Sequence, residues 1–173
     1  MSPLEIKSLI VDVPDFPKPG IVFKDITPVL ANPAAFRAVI ELLAERGAGL
    51  RCDAVLAIES RGFILGAPLA LELGLPLQLV RKRGKLPRAA LRVSYELEYG
   101  VDHLEVHADA IRKGGRYLIV DDVIATGGTA AAVASLVAQQ GATVAACLFL
   151  VELAFLAGRA KLGGVDVSSL ISY

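Results

Sequence analysis

From Val123 to Val151 the chain carries no charged side chain, and this stretch limits the possible folds more than any other. Its length would suffice to cross a bilayer. Two breaks argue against that use: Gly127-Gly128 near its start, and Gln139-Gln140-Gly141 in its middle. Between the breaks, "TAAAVASLVAQQ" spaces Val133, Leu136, Val137 and Gln140 on one helical face, and "TVAACLFLV" (143–151) is an apolar run of strand length. A helix and a strand buried against one core account for the whole segment, so no membrane association is expected.

The same alternation recurs upstream. "NPAAFRAVIELLAERGAG" reads as a helix, with Asn32 as its cap, Pro33 in its first turn, Gly47 at its end and Phe36, Val39, Ile40 and Leu43 facing the core. "DAVLAI" (53–58) is a buried strand, "RGFILGAPLALELG" an apolar helix, and "LPLQLV" (75–80) and "RYLIVDD" (116–122) further strands. Strands alternating with helices predict an α/β domain with a mostly parallel central sheet flanked by helices. Two segments fit this alternation poorly: the Pro-rich 12–30, and the basic 81–100, which reads as a long loop.

Composition narrows the function classes. With 173 residues the chain suits one domain, and 18 basic residues balanced by 18 acidic ones give no global attraction to nucleic acid. The N-terminus lacks a basic start followed by an apolar signal core, so a cytoplasmic location is expected. Cys52 and Cys147 are too few for a disulfide framework and suit buried small hydrophobes. His103 and His107 lack an evident third ligand nearby and are read as structural.

The chemistry concentrates in "IVDDVIATGGTAA" (119–131). The turn Ala125, Thr126, Gly127, Gly128 and Thr129 can aim backbone N–H groups at one point, and the following helix adds its positive dipole end. That suits a terminal phosphate, although neither a Walker loop nor a dinucleotide fingerprint is present. Asp121 and Asp122 would repel an anion, yet they can accept hydrogen bonds from vicinal hydroxyls. A ribose 5-phosphate satisfies both halves.

This run resembles the donor-binding motif of the type I phosphoribosyltransferases. "DFPKPGIVFKDITPVL", "AIESRGFILGAPLA", "VRKRGKLP" and "SYELEYGVDHLEVHADAI" follow the order and spacing of that family's adenine branch. Ala125 stands where relatives acting on 6-oxopurines usually carry an acidic residue. The resemblance implies transfer of a phosphoribosyl group from phosphoribosyl pyrophosphate to adenine, giving AMP and pyrophosphate. It also implies a small N-terminal hood over about residues 1–32, a mobile lid over about 81–100, Mg²⁺ carried mainly by the substrate, and a homodimer.

Residue roles follow from the same resemblance. Ser60, Arg61, Arg81, Lys82 and Lys85 are candidates for pyrophosphate, and a planar guanidinium such as that of Arg61 suits bidentate phosphate binding. Glu98, in "LEYG", matches a carboxylate acting near purine N7, so Glu98 and Arg61 are the catalytic candidates. Val22, Phe23 and Lys24 match the stretch whose backbone meets the 6-amino edge of adenine, and Val123 matches the opposite wall. Arg83 departs from the family, where proline is common, and would make the lid's start more flexible or more basic. Competing readings are transfer to another nucleobase and a regulatory module that binds the donor without catalysis. A structural subunit would leave the phosphate turn unexplained.

Overall fold

In the computed structural model, which describes residues 1–96 and 101–173, the chain opens with helix α1 (Pro3–Lys7) and strands β1 (Val11–Pro14) and β2 (Val22–Asp25). Helices α2 (Thr27–Ala31) and α3 (Pro33–Gly47) lead to strand β3 (Ala54–Ile58), helix α4 (Arg61–Leu73) and strand β4 (Leu77–Lys82). Strands β5 (Ala90–Glu96), β6 (Val101–His107) and β7 (Arg116–Ile124) precede helix α5 (Gly128–Gln139) and strand β8 (Thr143–Glu152). Two 3₁₀ segments, Ala154–Leu156 and Gly158–Leu162, connect to strand β9 (Val167–Ser172).

The predicted boundaries have local causes. Asn32 Oδ1 accepts from the backbone N–H groups of Ala34 and Ala35, both at 3.1 Å, and Pro33 occupies the first turn of α3. On that helix Val39, Ile40 and Leu43 are buried, while Phe36 is half-buried. The uncharged segment becomes α5 and β8, as its breaks predict, and no helix among the described residues is long and apolar enough to cross a membrane. After β8 the chain forms the pair of 3₁₀ segments rather than an α-helix. Ala157, at φ 52°, sits in the left-handed region, which ends α-helical continuation there.

Seven strands form one sheet in the order β5-β6-β4-β3-β7-β8-β9. The run from β4 to β9 is parallel, and β6 and β5 join it antiparallel at the β4 edge. Consecutive residues of β7 serve opposite faces, as strand geometry requires. Leu118 and Val120 pack with α3 and α4, whereas Tyr117 and Ile119 pack with α5. Cys147 lies in the second layer, where burial pushes its thiol up to about 12.

Over its described residues, the loop expected at 81–100 is the end of β4, a turn at 83–89 and strand β5. Leu91, Val93 and Tyr95 turn toward the core while Arg92 and Ser94 face out, a period-two pattern masked by the surrounding basic residues. Buried Glu105 on β6 fastens this region, accepting from Gly84 N–H at 2.9 Å and from Arg92 Nε at 2.8 Å. Glu98 lies outside the described residues.

Candidate active site

After β3 the chain crosses to β4 on one side and later returns to β7 on the other. The carboxyl ends of β3 and β7 therefore meet at the point where strand order reverses, where open α/β sheets hold ligands. Glu59 and Ser60 follow β3, and Asp121 and Asp122 lie near the end of β7.

Gly62 controls how closely these ends approach. A Cβ there would sit 2.8 Å from the Val120 carbonyl and 3.0 Å from Asp121 Oδ1. Without one, the first turn of α4 presses against β7, and Arg61 Nε donates to Asp122 Oδ2 at 2.5 Å. Asp122 is 4 % exposed, and Arg61 is its ion-pair partner. Asp121 Oδ1 accepts from the Asp122 backbone N–H at 2.8 Å. Burial, reinforced by the neighbouring Asp122 charge, holds the Asp121 carboxyl well above the usual carboxylate range.

Beyond β7 the turn 125–129 delivers the chain into α5, whose N-cap is Gly127 at φ 76° with no side-chain cap. The first N–H groups of α5 thus have no side-chain acceptor from the cap, a helix end open to an anion. The turn is braced from behind. A Cβ on Gly127 would come 2.1 Å from the Gly158 carbonyl, and one on Gly158 would come 2.2 Å from that of Ala125. Gly158 is held in turn by its neighbour Arg159, which grips buried Glu152 with Nε–Oε1 and Nη2–Oε2 contacts of 2.5 Å each. Residues 121–130 with Arg61 and Phe149 line a cavity of about 220 Å³.

The structure therefore gathers Arg61, Asp121, Asp122, Val123, Ala125, Thr126, Gly127, Gly128 and Thr129 round one cavity. Ser60 directly precedes Arg61, at the N-cap of α4. Arg81, Lys82 and Lys85 are not among the residues that line this cavity. Arg81 Nε pairs with Glu59 at 3.2 Å, Arg81 Nη1 reaches the Lys85 carbonyl at 3.4 Å, and Lys82 Nζ pairs with Asp102 at 3.2 Å. Glu59 also accepts from the Lys82 backbone N–H at 2.9 Å, tying the end of β4 to that of β3.

Phe23 brings β2 close to Arg61: its ring centroid is 5.3 Å from Arg61 Cζ and 5.3 Å from the Phe16 ring. Lys24, the next residue on β2, takes the opposite face and pairs with Asp12 at 2.7 Å. Val22 is exposed, and β2 has β1 as the other strand of its two-stranded sheet, which leaves one backbone edge of β2 without a strand neighbour among the described residues. His103 Nδ1 hydrogen-bonds Ser94 Oγ at 2.8 Å, and the described residues hold no group of three or more His, Cys, Asp or Glu suited to a metal.

Sequence reasoning missed Glu59, Gly62, Gly158 and the Glu152–Arg159 pair. Glu59, Gly62 and Gly158 act through contacts distant in sequence, the Glu152–Arg159 pair acts through Gly158, and only Glu59 and Gly62 lay inside a stretch already singled out.

Known proteins match this chain closely. The phosphoribosyl transferase domain family matches residues 25–166. An adenine phosphoribosyltransferase of Carboxydothermus hydrogenoformans is 56 % identical over 170 residues, covering 98 % of this chain and 100 % of that one. The crystal structure of adenine phosphoribosyltransferase from Thermoanaerobacter pseudethanolicus superposes with a TM-score of 0.96 at 53 % identity, over 99 % of this chain and 100 % of that one. The Saccharomyces cerevisiae enzyme, complexed with an imino-altritol bisphosphate and adenine, gives a TM-score of 0.91 at 42 % identity over 97 % of each chain. Similar along nearly its whole length to these proteins, the chain belongs to the phosphoribosyltransferase family and, within it, to the adenine phosphoribosyltransferases.

Proposed function

We propose that this chain transfers the 5-phosphoribosyl group of phosphoribosyl pyrophosphate to adenine, releasing pyrophosphate and forming AMP, a purine-salvage reaction. One observation carries the reading beyond family membership: an uncapped helix N-terminus and a pair of carboxylates face a single cavity at the sheet's switch point. A phosphate alone needs only the first, and a sugar alone only the second. Ribose 5-phosphate needs both.

In this reading the 5′-phosphate accepts from the N–H groups and hydroxyls of residues 125–129, and Asp121 and Asp122 accept from the ribose hydroxyls. Adenine meets the open edge of β2, where a backbone carbonyl accepts from its 6-amino group and repels a 6-oxo group. Val123 supplies an apolar wall opposite. During transfer the bond from C1′ to pyrophosphate breaks, a bond from C1′ to N9 forms, and the purine gives up a proton. Arg61 neutralises charge on departing pyrophosphate, and Glu98 takes the purine proton. Ser60, Arg81, Lys82 and Lys85 complete the pyrophosphate side; Arg81 and Lys82 would exchange their present carboxylate partners for it.

The protein offers two adjacent carboxylates, one of them already engaged by Arg61, which fits a Mg²⁺ held chiefly by the donor's own oxygens. Bound there, the ion would offset charge on the leaving group. Function as a homodimer in the cytoplasm belongs to the same proposal.

The test is incubation with Mg²⁺ and donor together with adenine, hypoxanthine, guanine or xanthine in separate reactions. Nucleotide is expected from adenine alone. Comparable product from an oxopurine, or donor binding with no product from any base, would overturn the reading. Glu98→Gln should lower kcat more than it weakens donor binding, and unchanged turnover would remove Glu98 from the mechanism.

A further inference from the structure

The purine side of the proposed site is built on β2, yet β2 belongs to a two-stranded sheet separate from the seven-stranded one. Something must hold its backbone in register with the cavity. Phe23 reaches the Arg61 side, as described. On the opposite face of β2, Lys24 Nζ lies 3.9 Å from the centroid of the Tyr173 ring. Lys7 Nζ lies 4.1 Å from the same centroid and donates to the Ser172 carbonyl at 2.7 Å. The Lys24 side chain is only 11 % exposed, so its ammonium group depends on two partners, the Asp12 carboxylate and the Tyr173 ring.

Tyr173 is itself anchored to the main sheet. Its backbone N–H donates to the Glu152 carbonyl at 2.9 Å, and its carbonyl accepts from Ala154 N–H at 3.0 Å. Glu152 ends β8 and forms the carboxylate half of the pair that steadies Gly158 behind the phosphate turn. A continuous chain of contacts therefore runs from the turn through β8 and Tyr173 to Lys24.

We infer that Tyr173 is a positioning residue for the purine: its ring, contacted by Lys7 and Lys24, latches β2 so that its open edge stays aligned with the cavity. The latch acts on the base and not on the donor, because none of its side chains lines the cavity at residues 121–130. A desolvated ammonium over an aromatic face is held more firmly than over an aliphatic group of similar size. Ring character, rather than bulk alone, is what the latch needs.

This inference rests on the proposed reaction, and its test separates the two. Wild-type protein is first assayed for AMP formation from adenine and donor; no product would overturn the reaction itself. With the reaction present, Tyr173→Leu should raise the KM for adenine by roughly three- to tenfold, the range for loss of a partly desolvated cation–aromatic contact. The KM for the donor should stay within about twofold, a ratio corresponding to well under 1 kcal/mol. Tyr173→Phe keeps the ring and should retain the wild-type KM for adenine. If the leucine variant fails to fold, Lys7→Met removes one cation far from the cavity and should raise the KM for adenine by about twofold, the lower end of such contacts. Unchanged adenine KM in the folded variant, or equal rises in both KM values, would overturn the latch.

Discussion

Asp121 illustrates how the site is poised before any ligand arrives. Burial and the Asp122 charge disfavour its ionised form, so its folded pKa lies above the unfolded value of about 3.8. Stability from its retained proton is fully present below that unfolded value and is lost as pH rises through the folded pKa. Asp121→Asn cannot ionise and escapes this loss. Its melting temperature should therefore exceed that of wild type at pH 8, with the gap closing toward pH 4. In the proposed site the same substitution would replace an acceptor for ribose hydroxyls, so donor affinity should fall by about tenfold or more, the scale of a hydrogen bond to a charged group. Thermal melts across pH and donor titrations measure both effects; an equal or lower melting temperature at pH 8 would contradict the burial argument. Wild-type donor affinity should also weaken on acidification at a higher pH than an ordinary carboxylate would give.

At the scale of elements, the turn 125–129 depends on a 3₁₀ segment that contributes no lining to its cavity. Arg159 donates to both oxygens of Glu152, which is 7 % exposed and also accepts from Ser169 Oγ. Arg159→Ala would leave that carboxylate buried with only the hydroxyl donor. Because the guanidinium is half-exposed, the expected loss of stability is about 1–3 kcal/mol, below that for a fully buried pair. Denaturant unfolding measures it, and a change within about 0.5 kcal/mol, the usual range for surface substitutions, would show that the pair does not brace the segment. The turn 125–129 itself was legible in the sequence because its parts are contiguous: Asp121 and Asp122, the glycines and the helix they enter. Its brace was not, since Gly158 meets Gly127 only after β8 has crossed the sheet. Strand β3 and helices α3 to α5 were likewise readable from apolar runs, caps and breaks. Strand β5 was not, because its alternating pattern lay among Arg81, Arg83, Lys85 and Arg88, which drew the segment toward a loop reading.

For the whole molecule, the consequence of this architecture is that the proposed site is assembled from segments far apart in the chain. The two-stranded sheet supplies β2, the first turn of α4 supplies Arg61, β7 and α5 supply the carboxylates and the turn, and Gly158 stands behind them. A ligand that spans the cavity ties these segments together only while the chain is folded, so its binding energy adds to folding stability. At donor concentrations about 100 times Kd, with Mg²⁺ present, the gain is about 2.7 kcal/mol. For a domain of this size that corresponds to a rise of roughly 5–10 °C in melting temperature, at fixed protein concentration. In the proposed mode adenine alone would contact β2 and one wall but not the turn 125–129, and should raise the midpoint less at equal concentration. Thermal denaturation with each ligand separately checks the order. A larger shift from adenine alone, with none from the donor, would mean that the cavity at the end of β7 is not where the phosphoribosyl group binds.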